Sequence, residues 1–138
     1  MNDDELLEAF VSCKLPFEQW THRAHVRVAY IYASRHGFRS ALDQVRTRIK
    51  AYNKATGTPE AIDRGYHETM TRAFMTLIFA ANRRTGPHAS SDEFCEAHPE
   101  LLTKLVLREH YSRERIMTWE AKQDFVEPDL RPLPKNLE

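Results

Sequence analysis

Glycine is scarce in this chain, with 4 in 138 residues, and runs that alternate polar and apolar positions are few. Both shortages turn the expectation from sheet to helix. An excess of charge of one sign is missing as well, since 20 Lys and Arg face 20 Asp and Glu. Such a balance provides no global field for nucleic acid or an anionic membrane, and neither partner is expected. Only two cysteines occur, Cys13 and Cys95, in no metal or redox spacing, so both are expected as free thiols. The longest apolar stretch, AFMTLIFAA, falls far short of the roughly 20 residues that a membrane span needs. The opening MNDDELLEAF lacks a basic region followed by an apolar one, and a reducing cytoplasm is the expected location. No repeat or linker divides the chain, which predicts one helical domain over 1–138.

What the sequence does hold is apolar spacing of helical period. Residues 4–13 place Leu6, Leu7, Phe10 and Val11 on one side behind an acidic first turn. Thr21 is the expected N-cap of a helix running to about Arg35, with Gly37 ending it. RSALDQVRTRIKAY follows as an amphipathic helix, its basic face read as a solvated surface rather than a DNA-recognition helix. Residues 53–65 are expected as the longest loop. A helix from near Tyr66 to about Asn82 is apolar nearly all round in its middle and is expected at the centre. Ser91 is the next expected cap, and Pro99 opens a helix carrying Leu101, Leu102, Leu105 and Val106. Ser112 caps a last short helix with Ile116, Met117 and Trp119. From about 124 the prolines impose an extended tail lying on the bundle. The expected fold is all-α, a bundle of about six or seven helices with a Pro-rich C-terminal tail.

Two segments place histidine where a core helix would favour leucine. In WTHRAHVRVAY, residues 20–30, Arg23, Arg27 and Ser34 define a wet face. His25 then falls about 180° from it and His22 about 120°, at roughly 100° per residue. In GYHETMT, residues 65–71, Arg64, Glu68, Arg72 and Thr76 form a polar stripe. His67 borders the apolar face there. Glu68 is expected outside the histidine sector, paired with Arg72 one turn on. Both histidine groups open their helices. If those helix ends meet, three imidazoles converge at one end of the bundle.

Three readings of that cluster are open. His22, His25 and His67 form a facial set suited to a transition metal, zinc, copper, nickel or iron, with an open position for an activated water. Alternatively, the site is a metal-free pocket for a small molecule. There His25 or His67 acts as acid or base, Glu68 being a further catalytic candidate, and Tyr32, Asn53, Tyr66 and Thr71 position the ligand. In the third reading the histidines form a structural hydrogen-bond network in a binding or assembly protein. His36 is expected as a cation at a helix end, His88 in a loop, His98 as a cap, and His110 away from the site. Trp20 and Phe17 are expected to pack the turn before the histidine helix, an aromatic ligand platform being the alternative. No exposed apolar stripe specifies an oligomeric state, although a homo-oligomer is compatible with the pattern.

WTHRAH, GYHETMT and the closing VEPDLRPLP together resemble a family of small, helical, uncharacterised bacterial proteins. The resemblance spans most of the chain. It implies a soluble helical protein whose activity is unknown, and it directs interest to His22, His25, Tyr66, His67, Glu68 and Thr71, which make up those segments.

Overall fold

A computed structural model describes residues 1–135 and 137. Among these the chain is all-α, with seven α-helices and no strand, the nearest approach to sheet being one isolated bridge between Ala61 and Arg64. The helices are α1 (Asp3–Val11), α2 (His22–Arg35), α3 (Phe38–Thr56), α4 (Glu68–Thr85), α5 (Ser91–Ala97), α6 (Arg113–Ile116) and α7 (Trp119–Gln123). Short 3₁₀ turns fill Phe17–Gln19, Pro99–Leu102 and Lys104–Glu109. No helix is long and apolar enough to cross a membrane among the described residues.

The helix starts follow from local chemistry. Asn2 and Glu5 form a reciprocal capping box on α1, and the hydroxyls of Thr21, Ser90, Ser112 and Thr118 each accept a backbone N–H of the turn they open. The cap of α5 is thus Ser90 and not the expected Ser91, which is buried and bonded to Asp3. Gly57 ends α3 with φ of +69°, the left-handed conformation that glycine adopts without Cβ strain. Gly37 does not end α2 in that way. It has φ of −68° and serves as the N-cap residue of α3. The helix expected after Pro99 is two 3₁₀ turns, because Thr103 is extended and its hydroxyl accepts the N–H of Leu105. The last expected helix is likewise two, divided at Thr118, and Trp119 is exposed.

The central helix is α2 rather than α4. It packs against α1, α3, α4 and α5, and Ala24 together with all residues from Val26 to Ala33 is buried. Arg27 is among them, although a charge at that period reads as solvent-facing. Its guanidinium donates to Ser91 Oγ at 2.8 Å, to the Met1 carbonyl at 2.8 Å and to Asp3 at 3.3 Å. The expected wet face of α2 is therefore covered by α1 and α5 at Arg27, while Ser34 is exposed and Arg23 partly so. The polar stripe of α4 is partly covered too: Thr76 is buried and Arg72 lies over the Phe125 ring, 4.2 Å from its centroid. The tail is fastened by Thr69, whose hydroxyl donates to the Asp124 carbonyl and accepts the Val126 N–H. Tyr111 adds a hydrogen bond to the Val126 carbonyl at 2.6 Å.

A candidate ligand cavity

The starts of α2 and α4 face a shared cavity of about 350 Å³. Its walls are mainly apolar: Val26 and Ala29 from α2, Val45 and Ile49 from α3, and Met70, Phe74, Met75 and Ile78 from α4. The polar groups are few and come from the two histidine segments and one 3₁₀ turn: His22, His25, Tyr66, His67, Thr71 and Lys104. A concave apolar volume of a few hundred Å³ with a handful of polar groups is the usual form of a small-molecule site.

Each polar group has a traceable position. Trp20, buried just before α2, is sandwiched between Phe10 (centroids 4.3 Å apart) and His25 (3.7 Å). That stack fixes the His25 ring at the cavity wall. His25 Nδ1 lies 2.7 Å from the Thr21 carbonyl, and a carbonyl only accepts, so Nδ1 carries the hydrogen. Nε2 is then a bare lone pair. It has no protein partner, and the one fully buried side-chain polar atom lacking a partner among the described residues is Asn82 Oδ1, so Nε2 is open to solvent. Burial disfavours the imidazolium and drives His25 down to about 4. His22 donates Nε2–H to the Leu101 carbonyl at 2.9 Å, which leaves Nδ1 bare, and burial lowers its pKa as well.

His67 differs. It is the N-cap of α4, one residue before the helix rather than in its first turn, and its Nδ1 accepts the Met70 N–H at 3.1 Å. Its Nε2 donates to the Ile116 carbonyl at 3.0 Å. Both nitrogens are thus in use, and only the neutral ring satisfies both bonds. Burial lowers its pKa in keeping with that role.

Gly65 brings Tyr66 and His67 to the wall. Its φ of +87° is open to glycine, and a Cβ there would run into the Glu60 carboxylate. That carboxylate accepts the Tyr66 N–H and binds Lys122 Nζ at 2.8 Å. Tyr66 donates its hydroxyl to Glu68 at 2.7 Å, and Glu68 is held by two bonds from Arg46 at 2.8 and 2.7 Å. Glu68 therefore pairs across to α3 and not with Arg72, as the helical period had suggested. Burial alone would raise the Glu68 carboxyl, but the hydrogen bonds of Arg46 and Tyr66 outweigh it and the net shift is downward. Burial and the same carboxylate raise the Tyr66 phenol. Its proton is committed to Glu68, so the phenol oxygen is left to accept.

Of the residues expected to position a ligand, Tyr66 and Thr71 line the cavity, whereas Tyr32 and Asn53 do not. Tyr32 is buried further along α2, its ring 6.0 Å from that of His36. Asn53 lies within the last turns of α3, which runs on to Thr56 and shortens the expected loop. Glu68 stands behind Tyr66 and does not line the cavity. The three metal candidates share the cavity, but no group of three His, Cys, Asp or Glu side chains is placed to hold an ion among the described residues. Lys104 was not expected in a site, and Trp20 was expected first as packing, with an aromatic ligand platform as the alternative. Trp20 adjoins the histidine motif, and that adjacency was its one signal; LLTKLVLREH carries none for Lys104. His110 is away from the cavity, bonded to the Arg131 carbonyl. Cys13 and Cys95 are free thiols, and burial pushes Cys95 up to about 11.

No family model, curated protein or solved structure matches the chain.

Proposed function

We propose that the protein binds a small, largely apolar molecule in the cavity between the starts of α2 and α4, with the bare Nε2 of His25 as the interior hydrogen-bond acceptor. The observation that carries this reading is the pairing of an apolar volume of about 350 Å³ with an imidazole nitrogen left unpartnered at its wall. A histidine serving packing alone would spend both ring nitrogens on the protein, as His67 does, whereas His25 turns Nε2 to the cavity. A ligand hydroxyl or N–H satisfies that nitrogen. With a pKa near 4, His25 is neutral at neutral pH and is a better acceptor than base, so binding is favoured over proton abstraction.

A metal ion is the second reading, favoured by the two bare nitrogens, Nδ1 of His22 and Nε2 of His25. For His67 to join them, either its cap on α4 or its bond to Ile116 must break. Calorimetric titration of the untagged protein with zinc separates the readings. Stoichiometric binding lost in His25→Ala supports the ion; no heat supports the organic ligand.

The main test uses Trp20 as reporter. With Trp119→Phe as background, one tryptophan is left at the cavity wall. Indole excluded, since it fluoresces, a neutral aromatic probe such as 3-phenylpropionamide is expected to change the Trp20 emission saturably. Ala29→Phe and Ile49→Phe, each filling the cavity from a different helix, are expected to abolish the change while the helical circular dichroism is kept. A response that persists in both folded variants contradicts the proposal.

A further inference from the structure

We infer that the ligand is an organic anion, an apolar body bearing a carboxylate or phosphate group that Lys104 meets at the rim of the cavity. The inference rests on the cavity being a ligand site and adds the charge of what enters it.

The first observation is the composition of the lining. The chain holds as many acidic as basic residues, yet no Asp or Glu lines the cavity, and Lys104 does. The nearby carboxylate of Glu68 is neutralised by the two-bonded Arg46 and screened by the Tyr66 hydroxyl. The second is the adjoining groove. It shares Met70 and Lys104 with the cavity, has an apolar floor of Leu107, Ile116 and Met117, and adds Arg108 and Arg113, again with no Asp or Glu.

The third observation is that Lys104 is unspent. Lys122 is tied to Glu60, Arg46 to Glu68 and Arg27 to Asp3, whereas no ion pair involves Lys104 among the described residues. Its charge is nevertheless felt at His22, His25 and His67, each of which it disfavours as a cation. An exposed lysine with no partner is ordinary. One whose field reaches three rings of an acid-free cavity is a counter-charge in waiting. The positive ends of the α2 and α4 dipoles lie at the same end of the molecule and add to that potential. The bare His25 nitrogen, an acceptor, directs the anionic group away from the interior and toward Lys104, leaving the apolar body and any hydroxyl inside.

The test compares probes of equal shape on the Trp119→Phe protein at low salt, followed by Trp20 emission. The probes are 3-phenylpropionate, 3-phenylpropionamide and 2-phenylethylphosphonate. At least one of the two anions is expected to bind about tenfold tighter than the amide, and whichever does so identifies the head group. Lys104→Met is expected to erase the preference and Lys104→Arg to keep it, and added salt should weaken the anion alone. Equal affinity for amide and anions, or a preference that survives Lys104→Met, overturns the inference while leaving the cavity a ligand site. Failure of all three probes overturns both.

Discussion

Two buried polar clusters in this protein look alike in composition and differ in one respect. Around Arg27, at the junction of α1, α2 and α5, the guanidinium meets Ser91, the Met1 carbonyl and Asp3, and Asp3 also takes the Ser91 N–H and hydroxyl. There the bonds run between the groups themselves, with Ser91 and Asp3 engaged by each other and by the guanidinium. Around the cavity, at the starts of α2 and α4, His67 is closed in the same way, but His25 and His22 each hold a bare nitrogen beside open space. Closed polar clusters secure packing. On the proposed reading, the acceptor left facing the cavity is the one that a ligand satisfies.

The sharpest way to break the comparison is at Arg27. Arg27→Leu leaves Asp3 and Ser91 without their cation in a mostly buried site, and is expected to cost about 3 kcal/mol, read as a lower urea midpoint, with probe affinity at the cavity unchanged. An undiminished midpoint would place Arg27 outside the fold's support. His67 comes next, since it is the structural member of the histidine group. His67→Ala removes a cap from α4 and is expected to cost about 1–2 kcal/mol, with His67→Asn recovering part of it because asparagine caps well. Equal losses in the two variants would deny the cap its role.

At His25 the expected effect appears as a pH dependence. An imidazole whose pKa is about 4 when folded and about 6.5 when unfolded favours the folded chain while neutral. That contribution is complete above about pH 6.5 and is lost as pH falls toward 4, because the unfolded chain takes up the proton first. His22 and His67 are shifted in the same direction. The urea midpoint should therefore fall between pH 7 and pH 5, a window above the ordinary carboxylate range, and fall less in His25→Leu. The same slope in both proteins would show that His25 is not held neutral by the fold.

The comparison also explains what could be read from the sequence. Helical class, the Thr21 and Ser112 caps and the proline-bound tail were legible because they depend on local chemistry and period. His22, His25, Tyr66, His67 and Thr71 were legible as a group because each sits at a helix start, where position along the chain fixes position along the bundle. Arg27 was not, since periodicity assigns charge to solvent and cannot foresee Asp3 and Ser91 closing around it. Glu68 failed for the same reason: its partner lies on α3, and no spacing within α4 announces Arg46. Tyr32 and Asn53 carry chemistry fit for a site, but the former is packed along α2 and the latter is absorbed into α3.

Long-range proton–nitrogen correlation spectra of the histidine rings reach the central claim most directly. At neutral pH the Nδ1–H tautomer is expected for His25 and the Nε2–H tautomer for His67, and adding the cavity probe should shift the bare Nε2 of His25 while His67 stays still. Protonation at Nε2 of His25 in the free protein, or an equal response from both rings, would contradict the division between a spared nitrogen and a sealed one.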